Sequence, residues 1–247
     1  MTPDQRLVYV DNASKCGSAW LHAVPCGRYR RLFDRDVAAA INIRVLQPDL
    51  ICRPSCRRCE SVNTQLHFEA CPHAQLSKKF RHDFIRDKVA NVIKITRWIE
   101  KEPLVAQPPN NRRADLKIGA AAEGLALDPR YGLVDIKIKS VLAQDTEGAR
   151  NAVVNADDAS MMQLNQAKVN AALEVAALQC RQSYANIPMQ QLVMPLVISS
   201  GGTLHKDCYH LFKDIIVNGK RRRQLLIDIS VALTRARAQA YDMHCIV

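Results

Sequence analysis

The residues with the clearest chemistry are thiols. Of nine cysteines, Cys52, Cys56, Cys59 and Cys71 fall within twenty residues, and the other five are scattered along the chain. The run Cys56-x2-Cys59-x7-His67-x3-Cys71 brings in an imidazole as well. Two cysteines at that spacing form a tight turn whose thiolates converge, and a His and a Cys four positions apart can meet them from one helical turn. Together they supply four soft or borderline donors, the set that tetrahedral Zn²⁺ takes. Cys52 or His73 is an alternative donor for one position. Such a site would staple a segment that has no core of its own. Arg53, Arg57 and Arg58 lie among the ligands. They are candidate phosphate contacts, with a solvated basic turn as the alternative.

Two short segments carry a second constellation. In Arg113–Ile118 and again in Leu133–Lys139, apolar and polar residues alternate, the pattern of a half-buried strand with its polar set on one face. Asp135 and Lys137 share that face, with Cα atoms about 7 Å apart. If the strands pair antiparallel, Asp115 comes beside Asp135. Two carboxylates and a backbone carbonyl such as that of Ile136 make an oxygen-rich nest for Mg²⁺. Lys137 beside it would orient a water and offset developing charge, the arrangement that phosphodiester hydrolysis needs. An ordinary strand with a wet face has the same alternation.

These groups need elements to hold them. Residues 1–50 read as helical: Asp34 or Asp36 can cap a helix with Val37, Ala40, Ile41, Val45 and Leu46 on its apolar side, ended by Pro48. The apolar segment Ser18–Pro25 is expected to pack on that helix. Residues 51–75 have little periodic apolar pattern. From Leu76 to Glu102 a helical stripe runs through Phe80, Phe84, Ile85, Val89, Val92, Ile93, Thr96 and Ile99. Gly119, Gly124 and Asp128-Pro129 supply the turn between the two strands. A long helix over roughly Ala156–Gln182 follows. Gln191–Ile198 then reads as a buried strand whose Pro195 marks an edge or bulge. After Gly201-Gly202, helices are expected over Thr203–Val217 and Gln224–Tyr241, with the basic run Lys220–Arg223 between them as an import signal, a phosphate contact or a surface loop. The order is that of an α/β layered fold. Three parts result: a helical segment over 1–50, a zinc knuckle over 51–75, and a larger domain over 76–247.

Composition narrows the function. At about 150 residues per domain, 247 residues make one large domain or two small ones. With 48% apolar and 24% charged residues the chain is globular rather than disordered, and 5% aromatics argues against a protein built on stacking platforms. No apolar run approaches the ~20 residues of a membrane span, and the start lacks the basic-then-apolar form of a signal peptide. An intracellular protein with no membrane partner is expected. The formal charge is +11, and it is uneven: residues 1–114 carry 20 Lys or Arg against 11 Asp or Glu, residues 115–247 carry 15 against 13. A basic front half suits a polyanion, most simply nucleic acid.

The order of these motifs resembles the C-terminal region of non-LTR retrotransposon proteins, which have a CCHC zinc knuckle followed by a restriction-like PD-(D/E)xK endonuclease domain. The residues carrying the resemblance are Cys56, Cys59, His67 and Cys71, then Arg81-His82-Asp83 at a helix start, then Ala114-Asp115, then Asp135-Ile136-Lys137. Gly17–Pro25 and the late segment Met194–Ile198 before a glycine pair are similar too. The resemblance implies a restriction-endonuclease-like core, a mixed sheet flanked by helices. It implies a metal-dependent DNA endonuclease with structural Zn²⁺, catalytic Mg²⁺ on Asp115 and Asp135, and Lys137 at the water. It also implies Lys168 on the following helix as a phosphate-holding residue. Arg81 and His82 are expected to support that site or to contact DNA, with packing at the helix start as the alternative, and Arg57 and Arg58 are the candidate nucleic-acid contacts of the knuckle. DNA is the implied partner, with the RNA of the parent element as a second one and a nuclear location. The alternative on the same scaffold is a zinc-containing nucleic-acid-binding protein without catalysis.

Overall fold

The computed structural model describes residues 1–24, 31–45, 55–57, 59–60, 67, 71, 75–104, 113–119, 132–153, 160–185 and 193–245. At its centre is a four-stranded mixed sheet in the order β1 (Ile99–Lys101), β2 (Leu116–Ile118), β3 (Leu133–Lys139), β4 (Val193–Ser199). The first two pairings are antiparallel and β3 runs parallel to β4. The helices are α1 (Pro3–Ala13), α2 (Asp34–Val45), α3 (Gln75–Ile93), α4 (Glu147–Asn151), α5 (Met161–Gln182), α6 (Lys206–Ile215) and α7 (Gly219–Cys245). The α/β class with a helix-flanked mixed sheet is therefore observed.

Strand alternation builds both faces. Leu116 and Ile118 of β2, Val134 and Ile136 of β3, and Leu196 and Ile198 of β4 all point to one side. There they pack with Ile85, Val89 and Ile93 of α3, Leu211 and Ile215 of α6, and Leu225 and Ile229 of α7. On the other side Val197 meets Leu173, Ala176 and Ala177 of α5, and α1 covers α5 through Leu7, Val8 and Val169. A capping box, with Ser160 and Gln163 each bonding the other's backbone N–H, starts α5; the expected residues 156–159 of that helix lie outside the described residues. Pro195 sits on an edge strand, where a missing N–H leaves no ladder bond unmade. The glycine pair closes the β4–α6 turn around the buried Asp11 carboxylate. Asp11 accepts from Gly201 N at 3.0 Å and Thr203 N at 3.1 Å. A Cβ at Gly201 would lie 2.4 Å from its Oδ2, and Gly202 adopts φ +106°.

Four expectations are corrected. The helix expected to reach Glu102 ends at Ile93, where Thr96 N and Arg97 N both return to Ile93 O, and Ile99 belongs to β1. Its Thr96 and Ile99 matched the helical period by coincidence, and Phe80, also on the expected stripe, is exposed. In α2 the buried residues are Asp36, Ala39 and Ile43, while Ile41 and Val45 face solvent, because Ala39 and Ile43 pack on the end of α7 at Ala238, Ala240 and Tyr241. The short 3₁₀ turn Ala19–His22 packs on α7 rather than on α2, with Trp20 N donating to Ser230 Oγ at 3.0 Å. Residues 220–223 are the first turn of α7 and not a loop; Asn218 begins the helix by accepting from Arg221 N at 3.1 Å.

Candidate functional site

β2 is only three residues long, and the place where it leaves β3 creates the acidic site. The last pair of the ladder is Leu116↔Val134, and Asp115 N still donates to Val134 O at 3.1 Å. Beyond it the chain bends, so the backbone groups of Ile136 that point toward β2 find no strand. The Asp115 carboxylate takes the Ile136 N–H at 2.6 Å, and His82 Nε2 on α3 lies 3.0 Å from Ile136 O. The same His82 Nε2 is 3.1 Å from Asp115 Oδ2. Side chains from two elements thus stand in for a missing ladder pair.

Asp135 lies on the adjoining strand, 4% exposed, with its Oδ2 2.9 Å from Lys137 Nζ and 3.1 Å from Cys180 Sγ near the end of α5. It also interacts directly with the Asp115 carboxylate. Lys137, half-exposed, stands at the mouth. Burial would raise both carboxyls. For Asp115 this is outweighed by the hydrogen bond and charge of His82 and by the Ile136 N–H, so its pKa lies below the usual carboxylate value. For Asp135 burial, aided by the Asp115 charge, prevails over Lys137, and its pKa is raised. The hydrogen bond from Asp115 raises His82. Lys137 would be lowered by burial, but the Asp135 charge holds it above the ordinary lysine value. Two carboxylates with the Ile136 carbonyl are hard oxygen donors of the kind Mg²⁺ takes.

The structure does not bring Lys168 here. It lies twelve residues before Cys180 on α5, about 18 Å along the axis at about 1.5 Å per residue. Its neighbour Val169 packs with Leu7 and Val141 instead. His82, expected to support the site or to contact DNA, is tied to Asp115 and Ile136. Arg81 beside it is half-buried and Arg57 is exposed. Arg58 lies outside the described residues. Sequence reasoning missed Cys180. Its spacing with Val169, Ala172, Leu173, Ala176 and Ala177 marked it as inward-facing, but nothing in the sequence named Asp135 as its neighbour.

The thiol cluster closes as a metal-binding group. The ligand atoms of Cys56, Cys59, His67 and Cys71 all lie within 4.8 Å of one another. Cys56 Sγ is 4.0 Å from Cys71 Sγ, and Cys59 Sγ is 3.1 Å from His67 Nε2. Ligands about 2.0–2.3 Å from a tetrahedral ion would stand at comparable separations. The local backbone explains the convergence. Glu60 N returns to Cys56 O at 2.9 Å across the cysteine pair, with Glu60 at φ +60°, and Cys71 N bonds His67 O at 2.8 Å. Cys56 and Cys71 are buried against each other, with Cys59 at their side. The alternative donors Cys52 and His73 lie outside the described residues. Among the described residues no other group of His, Cys, Asp and Glu meets this criterion. No described helix is long and apolar enough to cross a membrane.

No protein-family model matches the chain. No curated protein matches it either. What the fold and the sites define is a helix-flanked mixed α/β sheet with an acidic cluster at a strand break and a separate Cys₃His group.

Proposed function

We propose that the chain is a metal-dependent DNA endonuclease of retrotransposon origin, with a zinc-stabilised basic front. The observation that carries this reading is the gathering of Asp115, Asp135, Lys137 and the Ile136 carbonyl at one strand break. Asp115 and Asp135 with that carbonyl would hold Mg²⁺, and Mg²⁺ bound there would supply a Lewis acid for the phosphate and a water of lowered pKa. Lys137, charged and at the mouth, orients the water and offsets the charge that develops on the phosphate. Burial and the Asp115 charge hold the Asp135 carboxyl above its usual value, and its ionised form would be the one to take the cation. His82 fixes Asp115 and the Ile136 carbonyl in place before that. The Cys₃His donors favour Zn²⁺ as a structural ion, because soft thiolates with one imidazole suit it and leave no open position. A restriction-like core and a nuclear location are parts of the same proposal.

One observation favours a second reading, a zinc-containing nucleic-acid-binding protein without catalysis. His82 Nε2 already occupies the space between Asp115 Oδ2 and Ile136 O. Plasmid nicking by purified protein, with and without Mg²⁺ or Mn²⁺, separates them. The endonuclease reading expects nicking only with the metal, abolished by Asp135→Ala; metal-independent silence in every arm favours the second.

A further inference from the structure

Away from the acidic site, a cavity of about 750 Å³ opens between the 3₁₀ turn, α6 and the start of α7. Its rim carries Lys15, His22, Lys213, Arg222, Arg223 and the half-exposed Tyr209. Its floor is apolar, with Phe212 and Leu226. Among the described residues no carboxylate lines it. Several cations elsewhere on the surface are neutralised locally. Arg86, Lys101, Lys139 and Arg181 are each bound to an acidic partner. Lys15, Lys213, Arg222 and Arg223 form no ion pair among the described residues. Arg222 is held in place by donating from Nη1 to Lys213 O at 3.2 Å, which aligns it without using up its charge.

Four uncompensated cations around a concave lip focus a positive potential into it. That excludes a cationic or purely apolar occupant and selects a polyanion. The apolar floor and the exposed ring of Tyr209 select further. A duplex buries its base faces in the stack, whereas a single strand can lay an unstacked base on an aromatic ring while its phosphates follow the cations. The volume lies in the range of roughly 300–1,000 Å³ that takes a group of that size. We propose that this groove is a single-strand nucleic-acid binding site, with phosphates on Lys15, Lys213, Arg222 and Arg223 and a base against Tyr209. It shares with the endonuclease reading only the class of partner, and it uses none of that reading's residues.

The test is fluorescence anisotropy of a labelled oligothymidine with the full zinc-loaded chain, without Mg²⁺. Lys213→Glu combined with Arg223→Glu, both exposed positions, lowers affinity at least tenfold. It also flattens the dependence of log K on log salt by about 0.7 per lost contact. Tyr209→Ala weakens binding about tenfold, as loss of one stacked base does, with little change in salt slope. Unchanged melting by circular dichroism shows that the variants are folded. Wild-type affinity in the Lys213→Glu, Arg223→Glu variant overturns the site. Equal competition by duplex DNA with no effect of Tyr209→Ala overturns its single-strand character. Binding of phosphatidylserine vesicles in place of the oligonucleotide overturns it in favour of a lipid surface. A wild-type protein that never nicks DNA while these binding effects hold ends the endonuclease reading and leaves the groove standing.

Discussion

The Cys₃His group and the acidic cluster are held by opposite kinds of structure. Cys56, Cys59, His67 and Cys71 lie within one short stretch, and among the described residues the apolar contact there is the ligands' own. The acidic cluster draws on His82, Asp115, Asp135, Ile136 and Cys180, which a packed sheet and two helices bring together. In the first region the bound ion would be the core. In the second a core exists already, and an interrupted ladder leaves polar groups in want of partners. A metal centre of the first kind can be lost without the fold, and one of the second kind cannot survive the loss of its sheet.

The largest effect should come from removing a thiolate. Cys71→Ser is expected to take bound zinc from one ion per chain to none, since structural zinc contributes about 10–16 kcal/mol of apparent binding free energy to such a segment. The unfolding transition of the sheet core should remain. Elemental analysis beside circular dichroism melting checks both, and a chain that melts as a whole on losing zinc would erase the contrast between the regions.

Next in size is damage from the other side. Ile136→Ala leaves a cavity where Ile136, fully buried on β3, faces the core shared with the helices, and should cost about 2–5 kcal/mol in urea denaturation. Zinc content should stay at one. Zinc loss in this variant would mean that the knuckle leans on the core.

A smaller effect is expected from pH. His82 has a folded pKa above its ordinary 6.5, so its bond to Asp115 contributes fully below 6.5 and is lost as pH rises through the folded value. Asp115, lowered below 3.8, keeps its side of the bond until pH falls through its own folded value. A divalent ion competing for Asp115 and Ile136 O should therefore bind more tightly at about pH 8.5 than at about pH 6. Raised Asp135 acts in the same direction, because it must lose a proton to become a ligand. Calorimetric titration measures this, and His82→Ala should reduce the dependence to the part that Asp135 supplies. A flat profile in the wild type would show that neither group guards the site.

How much could be read beforehand differs between the regions for the same reason. The knuckle was legible because its donors are close in sequence, so spacing is nearly geometry. The two alternating strands were legible too, and with them Asp115, Asp135 and Lys137 as neighbours. The role of His82 was not, because it arises where β2 stops, and a three-residue strand leaves no periodic signal for its end. For the same reason β1 was absorbed into the helix before it. Lys168 was misplaced because family resemblance gives a residue's order in the chain, whereas the rise of α5 sets its distance. In α2 the burial of Ala39 and Ile43 rather than Ile41 and Val45 follows from packing on Ala238 and Tyr241, nearly two hundred residues away, and no local pattern contains it.

The most direct test of a cation site at the strand break, distinct from the Cys₃His group, is Mn²⁺ binding followed by electron paramagnetic resonance in the chain loaded with zinc. Wild type should bind one Mn²⁺ beyond its zinc. Asp115→Asn should bind none, with zinc content unchanged and a cooperative melting transition retained. A wild type that leaves Mn²⁺ free in solution, or an Asp115→Asn protein that binds it as well as wild type, would contradict the account.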